Sequence, residues 1–193
     1  MRVSREKAQA SREQVIDTAA RLLRERGFDG IGVADIMKAA GMTHGGFYRH
    51  FESKDELAVK ATERALAEGT SAIIEELAKQ PPDPLRMLIE RYVSSVHRDD
   101  PGSGCILPAL AADAGRRDDP ALREVFTTAI QGYLKLIDLM QAERSPDGLR
   151  APAAILSEMV GAVVLSRVIG DTALADSLME AVVTDIAGPL PDA

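Results

Sequence analysis

The chain has 193 residues and a mass of 20.7 kDa, enough for one ordinary domain or a small domain joined to a larger one. Apolar residues make up 46% and charged residues 27%, a balance that excludes global disorder. No stretch is apolar for long enough to span a membrane, and the charged first residues predict no secretory signal. A single cysteine excludes an internal disulfide and a cysteine-rich zinc site. We therefore expect a cytoplasmic protein with no membrane partner.

The charge is distributed unevenly along the chain. The net charge is −7, which by itself argues against a nucleic-acid partner. Residues 1–60 carry 11 basic and 9 acidic side chains, whereas residues 61–193 carry 12 and 21. The first third is thus slightly positive and the remainder strongly negative, which favours a chain of two parts.

The prolines divide the second part into helical segments. All ten prolines follow residue 80, and the segments between them are rich in alanine, leucine, glutamate and arginine without apolar–polar alternation. We predict an all-α fold of about nine helices. Their expected ranges are 11–26, 33–40, 44–50, 53–79, 83–98, 105–114, 119–143, 151–169 and 171–187.

The helices of the first part have clear terminal signals. Ser11 and Gln14 have the spacing of a capping box, and Gly27 suits the end of the first helix. Thr43 is the expected N-cap of the short helix at 44–50. Ser53 and Glu56 form a second capping box, which opens the long helix at 53–79.

Two short helices separated by a glycine turn at Gly41 are typical of a helix-turn-helix, whose second helix enters the DNA major groove. That second helix contains Gly45 and Gly46, each of which costs a helix about 1 kcal/mol relative to alanine. A structural helix has no need of both. A helix whose backbone approaches bases and phosphates does, since glycine has no side chain to hold it away.

The residues from Ser11 to Leu57 carry a more specific pattern. Gly41-Met42-Thr43 is followed by Phe47-Tyr48-Arg49-His50-Phe51 and then Lys54-Asp55-Glu56-Leu57. This pattern strongly resembles the DNA-binding domain of TetR-family regulators. The resemblance implies a three-helix DNA-binding domain at residues 1–57 and a ligand-binding and dimerisation domain at residues 58–193.

The resemblance also implies roles for individual residues. Those expected to contact phosphates are Thr43, Tyr48, Arg49, His50 and Lys54, and those expected at base edges are His44, Gly45 and Gly46. Two positions differ from those of some relatives. Ala34 stands where some members of the family have an arginine that contacts guanine, and Gly46 has no side chain to read a base. We therefore expect His44 to be the main side-chain reader, with DNA shape supplying more of the specificity.

The last two helices lead us to expect a homodimer. Apolar residues cover more than one face of 151–169 and continue in 171–187, so a monomer would expose a large apolar patch. Pairing with a second copy as a four-helix bundle would cover it, although burial within the same chain is an alternative that the sequence leaves open. A dimer would present two reading helices to a palindromic operator.

We expect a pocket for an unidentified small effector among the helices of residues 83–143. The candidate lining residues are Leu88, Tyr92, Val96, Cys105, Leu107, Leu110, Phe126, Ile130 and Tyr133. Cys105 is also a candidate redox or electrophile sensor, because it begins a helix, whose N-terminus lowers the pKa of a thiol. A small buried hydrophobic role for this cysteine is the alternative.

Other classes of function have less support in the sequence. No histidine pair has metal-ligand spacing, and no phosphate-binding glycine loop follows a strand, so we expect neither a metal nor a cofactor. His97 and Cys105 are close in sequence, but this alone does not make a base and a nucleophile. The sequence predicts a ligand-responsive DNA-binding regulator, most often a repressor in this family, rather than an enzyme. A helical interaction module without DNA binding is the main alternative.

Overall fold

A computed structural model describes residues 5–144 and 150–188, and over these ranges the chain is helical with no strand, which confirms the predicted all-α class. Nine α-helices occur in the described ranges. They are α1 (Arg5–Arg26), α2 (Val33–Ala39), α3 (Lys54–Leu77), α4 (Pro84–Tyr92), α5 (Ser95–Asp99), α6 (Ile106–Gly115), α7 (Pro120–Arg144), α8 (Pro152–Val168) and α9 (Thr172–Ala187). Two 3-10 segments, His44–Arg49 and Pro101–Ser103, complete the order. None of the helices in the described ranges has the length and hydropathy to cross a membrane.

The first helix begins earlier than predicted, at Arg5 rather than near Ser11. Residues 5–10 contain good helix formers with Glu6 in the first turn, so the helix continues through Ser11 without using it as a cap. Gln14 has another partner, since its amide donates to the carbonyl of Ala40 at 3.0 Å. The predicted capping box at Ser11 is therefore wrong.

The segment His44–Arg49, which we call the reading segment, is a 3-10 helix and not the predicted α-helix. Thr43 has the extended backbone of an N-cap, but its side chain makes no capping hydrogen bond. The two adjacent glycines disfavour an α-helix. A segment of six residues is too short for the other residues to offset that free-energy cost. The turn before the segment is as expected, because Gly41 has φ +70° and the N–H of Met42 bonds to the carbonyl of Met37 at 2.8 Å.

The long helix α3 joins the two parts of the chain. Its predicted cap is confirmed, because the Ser53 hydroxyl accepts a hydrogen bond of 3.0 Å from the N–H of Glu56. The Glu56 carboxylate accepts a further hydrogen bond of 2.7 Å from the N–H of Glu52, the residue before the N-cap. The proposed division between residues 57 and 58 falls inside this helix, so α3 is shared by both parts.

The helix predicted at 83–98 is two helices, α4 and α5, with a break at Val93 and Ser94. Val93 leaves helical geometry with ψ +72°, and the Ser94 hydroxyl accepts a hydrogen bond of 3.2 Å from the N–H of His97. A serine that caps a new helix competes with continuation of the old one. The break turns α5 toward α8 and the loop at residues 100–105.

The core is continuous from the first helix to the last. Phe28, Ile36, Met37 and Phe47 are fully buried where α1, α2 and the reading segment meet. In the second part, α8 packs against α9, α7 and α6. Its buried face carries Ile155, Leu156, Met159, Ala162, Val163 and Ser166.

Candidate DNA interface and candidate ligand cavity

The reading segment separates a buried face from an exposed one. Phe47 is 1% exposed and packs against Phe51, with ring centroids 5.5 Å apart. Tyr48, the next residue, is 71% exposed. The predicted DNA contacts lie outside the core. Thr43, His44, Gly45, Tyr48 and Arg49 are exposed, and Gly46, His50 and Lys54 are half-buried.

The two glycines of the reading segment are not required by packing inside the protein. A Cβ added to Gly45 would meet no atom within 4 Å, and one added to Gly46 would make ordinary contacts with Met37 at 3.6 Å and Thr43 at 3.9 Å. Neither glycine has positive φ. Open space therefore lies beside Gly45, where an external surface can approach the backbone, whereas a Cβ on Gly46 would point toward Met37 and Thr43 of the same chain.

Arg12 of α1 positions the end of the reading segment, a role that the sequence reading missed. Its Nε donates to the carbonyl of His50 at 3.3 Å, and its Nη2 bonds to the Glu56 carboxylate at 3.1 Å. The guanidinium carbon lies 4.8 Å from the centroid of the Phe51 ring. These contacts join α1, the reading segment and α3 into one unit. Arg12, Arg49, His50 and the first turns of α1 also line a shallow cleft at this surface.

A cavity of about 1000 Å³ lies between α1, α3, α4 and the loop at residues 100–105. Five of the residues expected to line a pocket do line it: Leu88, Tyr92, Val96, Cys105 and Tyr133. Of the other fifteen lining residues, seven lie within the expected range 83–143 and eight lie on α1 and α3, outside that range. The seven are Arg91, Ser94, His97, Asp100, Gly102, Ser103 and Gly104, and the eight are Asp17, Thr18, Arg21, Arg24, Glu68, Gly69, Ala72 and Ile73.

Four residues predicted to line the pocket do not border this cavity. Leu107, Leu110 and Phe126 are buried in the hydrophobic core, where they are enclosed by other side chains. Ile130 is 40% exposed and lies outside the cavity lining. Their positions have a common reason: the cavity opens toward α1 and α3, and not among the helices of 83–143 alone.

Three aromatic rings form one end of the cavity. The Tyr92 ring is perpendicular to the rings of Tyr133 and His97, with centroids 5.8 Å and 4.8 Å away. The Tyr92 hydroxyl is buried and has no partner with hydrogen-bond geometry. Burial raises the pKa of both tyrosines well above the ordinary value, and the nearby Cys105 thiol adds to this effect.

Cys105 is the N-cap of α6, as the expected helix start implies, and its Sγ accepts a hydrogen bond of 3.4 Å from the N–H of Leu107. The sequence predicts that the helix N-terminus lowers the pKa of the thiol, but in the structure burial raises this pKa, which makes the thiol less reactive. The backbone N–H of Cys105, and not its thiol, bonds to Nε2 of His97 at 2.9 Å. The pair therefore lacks the arrangement of a nucleophile and its base.

His97 is held by two hydrogen bonds that define its tautomer. Its Nε2 accepts from Cys105, so its Nδ1 carries the proton that it donates to the carbonyl of Tyr92 at 2.7 Å. Burial lowers the pKa of His97 below 6.5, against the opposing effect of the bond to Tyr92, and Arg167 and Arg91 lower it further. The ring is therefore neutral near pH 7.

Arg24 connects α1 to the cavity loop at residues 100–105 and to α3; α1, the reading segment and the start of α3 are called the DNA-binding unit below. It is 6% exposed, and its guanidinium donates to the carbonyl of Gly104 at 3.3 Å and to the Glu68 carboxylate at 2.9 Å. The loop approaches α1 closely, since a Cβ at Gly102 would lie 2.6 Å from Oε1 of Glu25.

The described residues contain no group of three acidic, histidine or cysteine side chains suited to a metal ion.

Comparisons with known proteins agree with these features. Residues 15–61 match the family described as bacterial regulatory proteins, tetR family. The HTH-type transcriptional regulator AcrR of Shigella flexneri is 35% identical over 89 residues, which are 46% of this chain and 41% of AcrR, so the match spans less than half of that relative. An uncharacterized HTH-type transcriptional regulator of Mycobacterium tuberculosis is 28% identical over 168 residues, 83% of this chain and 86% of that protein.

The fold agrees over nearly the whole length as well. The crystal structure of a TetR transcriptional regulator from Chloroflexus aurantiacus has a TM-score of 0.78 and 27% identity, covering 94% of this chain and 96% of that one. The similarity extends over both parts of the chain, so the helix-turn-helix and the C-terminal helices are arranged as in that regulator. Residues 15–61 therefore match the helix-turn-helix domain of the TetR family, and the fold of the described chain is similar to that of TetR transcriptional regulators.

Proposed function

We propose that the chain is a cytoplasmic, ligand-responsive repressor that binds a palindromic operator as a homodimer and is released when a small molecule enters the cavity. The observation that carries this proposal is the shared wall between cavity and DNA-binding unit. Asp17, Thr18, Arg21 and Arg24 of α1 border the cavity, while Arg12 of the same helix holds the reading segment. A ligand at this wall therefore contacts the helix that positions the DNA-binding surface.

The exposed face of the reading segment supports the proposed DNA contacts. Thr43, Tyr48, Arg49, His50 and Lys54 carry donors suited to phosphate oxygens. Gly45 and Gly46 leave the backbone accessible, so the segment can lie close to the base edges with His44 as its main side-chain reader. Ala34 and Gly46 offer no side-chain hydrogen bond, which leaves a larger share of the specificity to DNA shape.

The C-terminal helices support a dimer. On α8, the face opposite the buried one carries Val164, Leu165 and Val168, which are 39%, 52% and 77% exposed. Gly161 lies on the same side, and a Cβ there would meet nothing within 4 Å. On α9, Leu174 is 57% exposed. Pairing these faces across a two-fold axis would bury them and set two reading segments at the spacing of one DNA turn, about 34 Å.

The proposed release is a shift between two arrangements of one molecule. The DNA-bound form keeps Gly104 of the cavity loop on Arg24, and a ligand that favours another position of the loop favours another position of α1. By linkage, such a ligand lowers the affinity for DNA by the same factor by which DNA lowers the affinity for the ligand.

A titration with DNA tests this function. The purified chain is titrated by fluorescence anisotropy with duplexes from its own upstream region, at several salt concentrations, with a shuffled duplex as the control. We expect preferential binding to one palindromic segment and a steep fall of affinity with salt, because phosphate contacts dominate. Equal binding to both duplexes would contradict operator recognition. The same complex, titrated with a compound library, then tests release.

A further inference from the structure

We propose that the cavity takes an uncharged, largely apolar ligand carrying an acceptor oxygen, such as a ketone, and that the hydroxyl of Tyr92 donates the hydrogen bond that holds this oxygen. The inference deepens the proposed function and depends on it only in treating the ligand as the effector. It depends on the charges, the aromatic groups and the unpartnered hydroxyl of the cavity wall.

The arginines of the wall are already paired with acids of the chain. Arg24 bonds to Glu68 at 2.9 Å and Arg21 bonds to Glu25 at 2.6 Å. Arg91 lies 3.4 Å from Glu76. A ligand carboxylate would have to displace one of these partners, and at Arg24 it would leave Glu68 without its cation.

The acids of the wall are also engaged. Asp17 pairs with Arg64, and Asp100 accepts a hydrogen bond of 3.3 Å from the N–H of Ser103. The lining contains three arginines and three acids, and its histidine is neutral, so the formal charge of the wall is zero. A charged ligand would lose its hydration without gaining an unpaired counter-ion.

The aromatic end of the cavity fits an apolar group. Leu88 and Ile73 border it together with the rings of Tyr92 and Tyr133. Val96 is 78% exposed, although its side chain is apolar. A ligand covering these groups removes apolar surface from water, which favours binding in proportion to the area covered.

The Tyr92 hydroxyl supplies the specific polar contact. Tyr92 is 5% exposed, borders the cavity, and its hydroxyl has no hydrogen-bond partner. Its polar neighbour is the thiol of Cys105, which is a weak acceptor. A buried hydroxyl without a partner is costly, so a carbonyl oxygen placed beside it gains a hydrogen bond at a site already removed from bulk water.

Three compounds of nearly equal size test the class of ligand. Benzylacetone is a ketone, hydrocinnamate is the carboxylate of the same shape, and isopentylbenzene is the corresponding hydrocarbon. Their dissociation constants are measured by ligand-observed NMR with the full-length, DNA-free protein. We expect benzylacetone to bind at least about tenfold more tightly than hydrocinnamate, a difference of about 1.4 kcal/mol.

The variant Tyr92→Phe tests the anchor, with Tyr133→Phe as the matched control on the same wall. We expect the ratio of the hydrocarbon's dissociation constant to the ketone's to fall about tenfold in Tyr92→Phe and to stay near the wild-type value in Tyr133→Phe. We also expect Tyr92→Phe to melt no lower than the wild type without ligand, because it removes an unpartnered buried hydroxyl.

Each contrary result overturns the inference. Tighter binding of hydrocinnamate, or no binding of benzylacetone up to the millimolar range, would contradict the uncharged class. An unchanged ratio in Tyr92→Phe, or a loss confined to Tyr133→Phe, would contradict the anchor. Because no DNA is present, these failures leave operator recognition intact. A ketone that binds through Tyr92 but leaves the DNA complex unchanged would instead contradict the proposed function.

Discussion

Gly45 has a role that the packing of the protein does not explain. An added Cβ there would meet no protein atom, and the residue needs no positive φ, so alanine is compatible with the folded chain. Alanine should even favour local helix by up to about 1 kcal/mol. Contacts inside the chain therefore do not require glycine at this position, and the proposed approach of DNA to the backbone would require it.

The first prediction concerns Gly45→Ala. We expect its free energy of unfolding to equal or exceed that of the wild type, while its affinity for the operator falls about tenfold or more, since the methyl group holds the backbone away from DNA. Urea denaturation and fluorescence anisotropy measure the two quantities. The control is Gly115→Ala at the end of α6, where a Cβ also meets nothing. Unchanged operator affinity in Gly45→Ala would show that DNA does not approach this backbone.

Arg24 is a buried cation between two parts of the chain. Replacing it by methionine keeps much of its length but removes its bonds to Glu68 and to the carbonyl of Gly104. We expect Arg24→Met to lose about 2 kcal/mol of unfolding free energy, because hydrogen bonds to a charged group are lost and a carbonyl is left without its partner.

The matched control for this second prediction lies one turn earlier on α1. The Arg21 guanidinium is half exposed and pairs with Glu25 at i,i+4, so Arg21→Met should change the free energy by no more than about 0.5 kcal/mol. Both variants are compared in urea. A loss at Arg24 no larger than the loss at Arg21 would mean that the buried contacts add nothing to stability.

At the scale of elements, the loop at residues 100–105 depends on a neutral His97. Its Nε2 accepts the N–H of Cys105, and protonation would remove that acceptor. A Cβ at Gly104 would lie 2.6 Å from Cδ2 of His97, so the loop rests directly on the ring. The loop in turn contacts α1 through Gly102 and Gly104. The protonation state of His97 therefore affects the contact between cavity and DNA-binding unit.

The third prediction is a pH dependence of stability. The pKa of His97 lies below 6.5 in the folded chain, chiefly because of burial, so the unfolded chain binds the proton first as the pH falls. The contribution of His97 is complete above 6.5 and declines below it, down to the folded pKa. We expect His97→Gln, which retains a donor and an acceptor, to lose less stability than the wild type between about pH 7.5 and about pH 5.5 in urea denaturation.

Carboxylates with lowered pKa values also lose stabilising contacts on acidification, among them Asp99, whose partner is Arg98, and Asp100, which bonds to Ser103. The test is therefore the difference between the two proteins. Identical slopes for the wild type and His97→Gln would exclude His97 as a source of the pH dependence.

The sequence predicts the elements better than it predicts the cavity. Helix ends marked by local chemistry, such as Ser53 with Glu56 and the turn at Gly41, can be found from a few adjacent residues. The break at Val93 and Ser94 was missed because serine also occurs inside helices. The two glycines of the reading segment do not predict its 3-10 form, because the sequence pattern alone does not distinguish a short α-helix from a 3-10 helix.

The cavity depends on contacts between distant residues, which explains the mixed outcome there. Leu107 and Leu110 have the apolar character of a lining, but their faces are turned to the core. Arg24 lies near the end of α1, and nothing in the neighbouring sequence indicates that it contacts Glu68 and Gly104. The two tyrosines among the candidates, Tyr92 and Tyr133, do border the cavity.

At the scale of the whole molecule, α1 connects the DNA-binding unit with the cavity. α1 contributes Arg12 to the DNA-binding unit and Arg24 to the cavity wall, and it packs along α3. In the proposed dimer, a change at the cavity alters the spacing of the two reading segments only if the two copies are held in a fixed arrangement. The C-terminal helices are the candidates for that task, because their apolar faces remain exposed in a single copy.

The last prediction therefore concerns Leu165→Glu on the exposed face of α8, where the wild-type side chain is 52% exposed. In a two-fold dimer the substitution places two carboxylates near each other in an apolar interface. This should raise the dimer dissociation constant at least about a hundredfold, because juxtaposed like charges cost several kcal/mol. Sedimentation velocity over a concentration series measures it, and operator affinity should fall at concentrations where the variant is monomeric.

Ile74→Glu is the matched control, since Ile74 is 59% exposed but lies on α3. It adds the same charge to a similar exposed position, and we expect it to sediment as the wild-type dimer. If Leu165→Glu also remains dimeric, the exposed face of α8 is not the interface. If it is monomeric and binds the operator as tightly as the wild type, the two reading segments act independently, and recognition of a palindrome by a symmetric pair is wrong.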